Sequence, residues 1–217
     1  MKTIYEFLLK SKTATSTQDA DYVDLGLPSG LLWAKCNIGA DAPHDCGDYF
    51  MWGSTEPDTD WECNWRMSPF NDNKQDLDIE YIKSIKDDIC QDYILKSEYD
   101  AATVILGNEW RMPTKDDFSE LINNTNGEWV ENYQDSNIRG RLFTSTKNKA
   151  QIFIPAAGYK NGNRISRIYT FTDLWSSKMN NAYNEYADTL FISKGAYYIR
   201  STEICYGLNI RAVKETK

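Results

Sequence analysis

The chain has 217 residues, of which 41% are hydrophobic and 26% charged, enough for one medium-sized domain with a real core. Its net charge is -8, from 24 basic and 32 acidic residues, which argues against a phosphate backbone or an anionic membrane as partner. No apolar run reaches 18 residues, and the patch near the N-terminus is broken by Glu6 and followed by Lys10 and Lys12, so neither a transmembrane helix nor a signal peptide is expected.

In chain order, Ile4, Phe7 and Leu8 mark a short helical stripe, followed by the small-polar stretch 11–20. Residues 1–20 therefore read as a docking segment and linker, and 21–217 as the globular domain. Val23, Leu25 and Leu27 predict one strand of a hairpin. Pro28, Ser29 and Gly30 supply the turn, and Leu32, Ala34, Cys36 and Ile38 the return strand. Residues 47–53, rich in aromatics, predict another strand. The polar stretch 54–80 reads as a surface excursion. Ile82, Ile85, Ile89 and Tyr93 fit a helical stripe over 78–95, and 98–106 a second short helix. Pro113, Thr114, Lys115, Asp116 and Asp117 form a helix start, with a hydroxyl cap before an acidic first turn, and Phe118, Leu121 and Ile122 form its apolar face. From residue 128 onward, short apolar segments alternate with Asn/Gly/Lys loops, ending in 206–213. There Leu208, Ile210 and Ala212 alternate with Asn209 and Arg211, as in a half-buried strand. Residues 197–206 before it follow neither a helix nor a strand period. The pattern predicts an α+β fold of mixed short antiparallel strands with two or three helices.

The five cysteines, Cys36, Cys46, Cys63, Cys90 and Cys205, are widely spaced and lack a C-x-x-C pair. Free thiols are the simplest expectation, and no zinc or iron–sulfur site is indicated. His44, the single histidine, stands two residues from Cys46, which suggests a thiol nucleophile only weakly. Glu56, Asp58, Asp60 and Glu62 could gather oxygen ligands for Ca²⁺, although an acidic solvated loop explains them more simply. No other cofactor is indicated.

Several segments together carry a family resemblance. They are YVDLGLPSGLLWA (22–34), GDYFMWGSTEP (47–57), YDAATVILGNEWRMPT (99–114), IFIPAAGY (152–159), LWSS (174–177) and YGLNIRAV (206–213). In this order the chain resembles the Fibrobacter succinogenes major paralogous domain family. The resemblance implies a C-type-lectin-like fold, related to formylglycine-generating enzymes and to the variable proteins of diversity-generating retroelements. The cysteine pair those enzymes use late in the chain is reduced here to Cys205, so the activity is not implied. Trp33, Trp52, Trp110 and Trp175 fall inside the shared blocks and read as core. Arg111 reads as part of a structural ion pair, and Gly30, Gly53, Gly107 and Gly158 as turn residues.

The resemblance also implies a fixed scaffold carrying variable surface positions. The scaffold comprises Trp175, Ser176, Ser177, Ala187, Leu190, Phe191, Leu208, Ile210, Arg211 and Val213. The variable positions lie in 167–170, 178–181, 183–184, 186 and 197–206. Their Tyr, Asn, Ser, Thr and Arg content is similar to that of antibody paratopes. Candidate ligand contacts are Tyr169, Lys178, Asn180, Tyr183, Tyr186, Tyr197, Tyr198, Arg200, Thr202, Glu203 and Tyr206. The expected function is non-enzymatic binding of a cell-surface protein or glycan from a virion or cell surface, with 1–20 as the assembly contact. The alternatives are a structural virion or surface subunit and, less simply, an enzyme using His44 and Cys46.

Overall fold

The computed structural model describes residues 21–57, 86–183 and 185–216. They form a mixed α+β structure, mostly antiparallel strands in several sheets. Residues 1–20, with the docking segment, and 58–85, with Asp58, Asp60, Glu62 and most of the polar excursion, lie outside the described residues.

The first hairpin forms as its sequence dictates. β1 (Tyr22–Asp24) pairs antiparallel with β2 (Leu32–Ala34), and the turn closes through the Gly30 N–H donating to the Leu27 carbonyl at 3.0 Å. Residues 47–53, expected as a strand, instead carry a single bridge, Phe50 to Leu208, then turn at 52–53, with 49–53 buried. The helical stripe over 78–95 needs the same correction. Helix is present at 86–89, but Asp92 and Tyr93 then adopt φ of +54° and +65°. A right-handed helix cannot pass through those values. The chain turns back as a tight hairpin, β3 (Cys90–Gln91) with β4 (Ile94–Leu95).

α1 (Ala101–Leu106) is capped by Asp100, whose carboxylate accepts from the Thr103 N–H at 3.0 Å and from the Met112 N–H at 2.9 Å. That second bond ties the helix start to β5 (Trp110–Arg111). α2 (Lys115–Asn124) opens with the expected capping box between Thr114 and Asp117. Arg111 completes the corner, its guanidinium 2.6 Å from Asp117. Phe118 and Leu121 are buried. The helix stops at Asn124, and the next strand begins directly at Thr125.

β6 (Thr125–Val130), β7 (Gly140–Ser145) and β8 (Gln151–Pro155) make a meander. β9 (Tyr159–Asn161) and β10 (Arg164–Ser166) form a separate ribbon. β11 (Phe171–Met179), β12 (Tyr186–Ser193) and β13 (Tyr197–Glu203) follow, and their five-stranded sheet runs β13-β12-β11-β4-β3. β14 (Val213–Lys214) closes a last sheet, β1-β2-β14-β5.

The β11–β13 sheet lies between two cores. Leu174, Leu190 and Ile192 join Trp33, Phe118, Phe143 and Val213 on one side. Trp175, Met179 and Ala187 join Phe50, Trp52, Met112 and Leu208 on the other. Two indoles stitch the second core across the chain: Trp52 Nε1 donates to the Ser176 carbonyl at 2.8 Å, and Trp175 Nε1 to the Phe50 carbonyl at 2.7 Å. Trp33, Trp52 and Trp175 are fully buried, and Trp110 is half-buried at the margin.

The C-terminal stretch reverses both expectations placed on it. Residues 197–203, without visible period, are a regular strand paired to β12 along its length. Residues 208–213, with a clear period, form only bridges until β14, and every one of them is buried. The polar members of the alternation therefore face protein rather than water. Asn209 Nδ2 donates to the Cys46 and Asp48 carbonyls at 3.0 and 2.9 Å. Arg211 donates to Asn37 Oδ1 at 2.9 Å, to the Phe153 carbonyl at 3.0 Å, and to the Ala34 and Lys35 carbonyls. Burial lowers the Arg211 guanidinium to about 10.

The cysteines also depart from expectation. Cys36, Cys46 and Cys90 carry free thiols, but Cys205 is disulfide-bonded. A free-thiol reading of all five is therefore corrected. Spacing along the chain could not anticipate it, because the bond depends on where the fold carries Cys205.

Candidate functional site

Strand alternation sorts residues 197–203 onto two faces. The register sets Tyr198 opposite Phe191, which in turn faces Asp173, and Arg200 opposite Thr189, which faces Trp175. Tyr198, Arg200 and Thr202 therefore share one face with Phe191, Asp173 and Phe171. Tyr197, Ile199, Ser201 and Glu203 point to the other.

On the first face the aromatic rings form a continuous run. The Tyr206 ring lies 5.4 Å from Tyr159, Tyr159 6.0 Å from Phe171, Phe171 5.5 Å from Phe191, and Phe191 5.1 Å from Tyr198. These are the tilted, stacked and edge-on geometries that ring quadrupoles prefer. Phe171 and Phe191 are half-buried, and Tyr198 is 47% exposed. Arg200 lies over the run, its guanidinium 4.3 Å from the Phe191 centroid.

Arg200 is held from beneath. Its Nε donates to Asp173 Oδ1 at 2.9 Å and its Nη2 to Asp173 Oδ2. Asp173 is buried and also accepts from the Thr189 hydroxyl at 3.3 Å. Thr189 in turn meets the Thr202 hydroxyl at 3.2 Å. Burial pushes the Asp173 carboxyl up, and the Arg200 and Thr189 contacts oppose that shift. Among the described residues, Arg200 Nη1 makes no hydrogen bond.

A second group gathers where β11 gives way to β12. Asn180, Tyr183, Glu185, Tyr186 and Ser201 line an open cavity of about 490 Å³. A neighbouring one of about 300 Å³ is lined by Lys115, Lys178, Asn180 and Asp188, among others. Asn180 joins the two: its Nδ2 donates to Ser201 Oγ at 2.9 Å, and its Oδ1 accepts from the Ala182 and Tyr183 N–H groups. Ser201 donates to Asp188 at 2.9 Å. Tyr186 donates its hydroxyl to Glu203 Oε1 at 3.2 Å and meets Tyr183 edge-on. Tyr183 is 62% exposed.

The expected contact residues thus divide. Tyr198, Arg200, Thr202 and Tyr206 belong to the aromatic face. Lys178, Asn180, Tyr183 and Tyr186 line the two cavities, with the Lys178 ammonium bonded to the Asp92 carbonyl at 2.6 Å, and Glu203 joins them only through the Tyr186 hydroxyl. Tyr169 is exposed in the turn before β11, at φ +66°. Tyr197 joins neither group, because it turns inward onto Phe143 at 5.3 Å and under Arg141 at 4.6 Å. Sequence reading missed Tyr159, Phe171, Asp173, Asp188 and Thr189, placed Ser201 in a variable segment without naming it as a contact, and counted Phe191 as scaffold. Only the strand register brings these side chains onto the two surfaces.

Elsewhere, a larger open groove of about 1060 Å³ is lined by Tyr22, Ile94, Thr103, Trp110, Lys214 and the scaffold residue Ser177, among others, and none of the expected contact residues lines it. His44 lies 3.9 Å from Asp45, and burial pushes the Cys46 thiol up, opposite to the shift that activates a nucleophile. Among the described residues no group of three or more His, Cys, Asp or Glu gathers to hold a metal ion, and no helix is long and apolar enough to cross a membrane.

No family model, curated protein or solved structure matches the chain. The site is therefore interpreted from its own geometry.

Proposed function

We propose that this is a non-enzymatic ligand-binding protein, an adhesin or receptor-binding module acting from a virion or cell surface on a cell-surface protein or glycan. The observation that carries the reading is the division of labour in the β11–β13 sheet. Tyr198, Arg200 and Tyr183 stand at the surface, while the residues behind them are locked into two cores. Aromatic and Arg anchors on rigid strands contribute binding energy at low entropic cost.

The mixed α+β architecture with short antiparallel strands supports a C-type-lectin-like fold, and the resemblance to the Fibrobacter succinogenes major paralogous domain family supports the same assignment. The resemblance implies that the candidate contact positions belong to segments that retroelement mutagenesis varies. A near-copy of the DNA encoding 165–213, differing only at adenines and lying beside a reverse transcriptase gene, would establish that diversification. Its absence would remove it.

Binding itself is tested on arrays of glycans and bacterial cells with Tyr198→Ala and Tyr183→Ala, alone and together. Loss of binding with retained folding supports the surface. Unchanged binding in the double variant rules it out.

A further inference from the structure

We propose that the platform of Phe171, Phe191 and Tyr198 with Arg200 is a subsite for an uncharged pyranose sugar; this deepens the function proposed above and rests on it. Three observations point to that chemistry. The first is shape. The rings are tilted to one another, by 40° between Phe171 and Phe191 and by 43° between Phe191 and Tyr198, with Phe171 and Phe191 half-buried and Tyr198 47% exposed at the end of the run. One exposed aromatic ring backed by others suits a weakly apolar partner of about its own size. A pyranose presents a face of polarised C–H groups, and the partial negative charge of an aromatic face attracts them.

The second observation is the fixed donor. Two nitrogens of Arg200 are engaged by the buried Asp173, and the guanidinium is laid over Phe191 at 4.3 Å. The pairing restrains the guanidinium, and its Nη1 makes no hydrogen bond among the described residues. A hydroxyl or ring oxygen of a sugar stacked on the exposed Tyr198 ring would accept from it with little further ordering of Arg200 on binding.

The third is charge. Asp173 cancels the charge of Arg200 within the pair, and the whole chain carries -8. An anionic sugar gains little from a neutralised guanidinium and is repelled by the rest of the molecule. Neutral hydroxyls lose nothing, so the site selects an uncharged sugar.

The test uses the full chain with the methyl glycosides of glucose, galactose, mannose and N-acetylglucosamine, and with N-acetylneuraminic acid. Binding is read by saturation-transfer NMR and by titration. At least one neutral glycoside is expected to receive saturation on the C–H protons of one ring face, with millimolar affinity. Tyr198→Ala and Arg200→Lys should each weaken it by about tenfold, and Tyr198→Phe, which keeps the ring, by less than about threefold. Circular dichroism and melting temperature confirm that each variant folds. Binding of none of the neutral glycosides, binding of N-acetylneuraminic acid alone, or neutral binding untouched by Tyr198→Ala overturns the subsite.

Periodate-treated cells separate this failure from failure of the function itself. Binding that survives periodate but is lost in Tyr198→Ala makes the same face a protein-binding surface, which ends the sugar assignment and leaves the function standing. Cell binding unchanged in the Tyr198→Ala and Tyr183→Ala double variant ends the function.

Discussion

Residues 197–203 and 208–213 are neighbours in the chain and opposites in design. The first is a regular strand at the edge of a sheet, with side chains half-covered on both faces. The second has almost no ladder of its own, yet all six of its residues are buried. Regular backbone and structural importance are therefore different things here. β13 takes its order from the ladder to β12, which asks little of its outward side chains. Residues 208–213 take theirs from side chains that reach across the molecule to Asn37, Cys46, Asp48 and Phe153. Outward positions of the first segment, such as Tyr198, can change and keep its shape, and those of the second cannot.

Substitutions can sharpen or break this contrast. The largest effect is expected at Arg211. Arg211→Met removes the donor shared by three buried carbonyls and Asn37 and should cost about 3–5 kcal/mol in urea denaturation. A cost below about 1 kcal/mol would mean that the 208–213 network is dispensable. Gly158→Ala comes next. At φ +69° an added Cβ would sit 2.0 Å from the Ser166 carbonyl oxygen, so a loss of about 2–4 kcal/mol is expected, read by the same denaturation.

Within β13 the two faces should separate. Ile199→Ala, which uncovers the Phe118 core, should cost about 1–2 kcal/mol, whereas Tyr198→Ala should change stability by less than about 1 kcal/mol. Equal costs at the two sites would contradict the face assignment.

The smallest effect is electrostatic. The Asp173 carboxyl is raised in the folded protein, so its protonated form is favoured on folding. The Asp173 contribution to stability is then fully present below the unfolded carboxylate value and is lost as pH rises through the folded one. Wild type should accordingly gain stability relative to Asp173→Asn as pH falls from 7 toward about 4. Paired denaturation curves across that range check it, and a difference moving the other way would show that the Arg200 pair outweighs burial.

Much of the scaffold is legible in the sequence because it is written in local chemistry. Thr114 and Asp117 announce a helix start that needs no tertiary information, and Pro28, Ser29 and Gly30 announce a turn. The buried Trp33, Trp52 and Trp175 follow from size and hydrophobicity. The stripe through Ile89 and Tyr93 misleads because periodicity does not report the left-handed backbone at Asp92 and Tyr93. Asn209 and Arg211 look solvent-facing because polar residues usually are, and only the fold supplies the carbonyls that make their burial tolerable. Tyr197 and Tyr198 are identical in type and adjacent, so composition assigns them one role. Register gives them two. The aromatic face remained hidden for the same reason, since Phe171, Phe191 and Tyr198 come from three strands.

The contrast between the two segments is tested most directly by saturation mutagenesis of 197–213, with every variant scored both for protease resistance and for ligand binding. The account predicts that 198 and 202 accept most residues without loss of folding while binding changes, that 200 is restricted by its pairing with the buried Asp173, and that 208–213 accept few. Equal tolerance across both segments, or folding lost as readily at 198 and 202 as at 209 and 211, would contradict it.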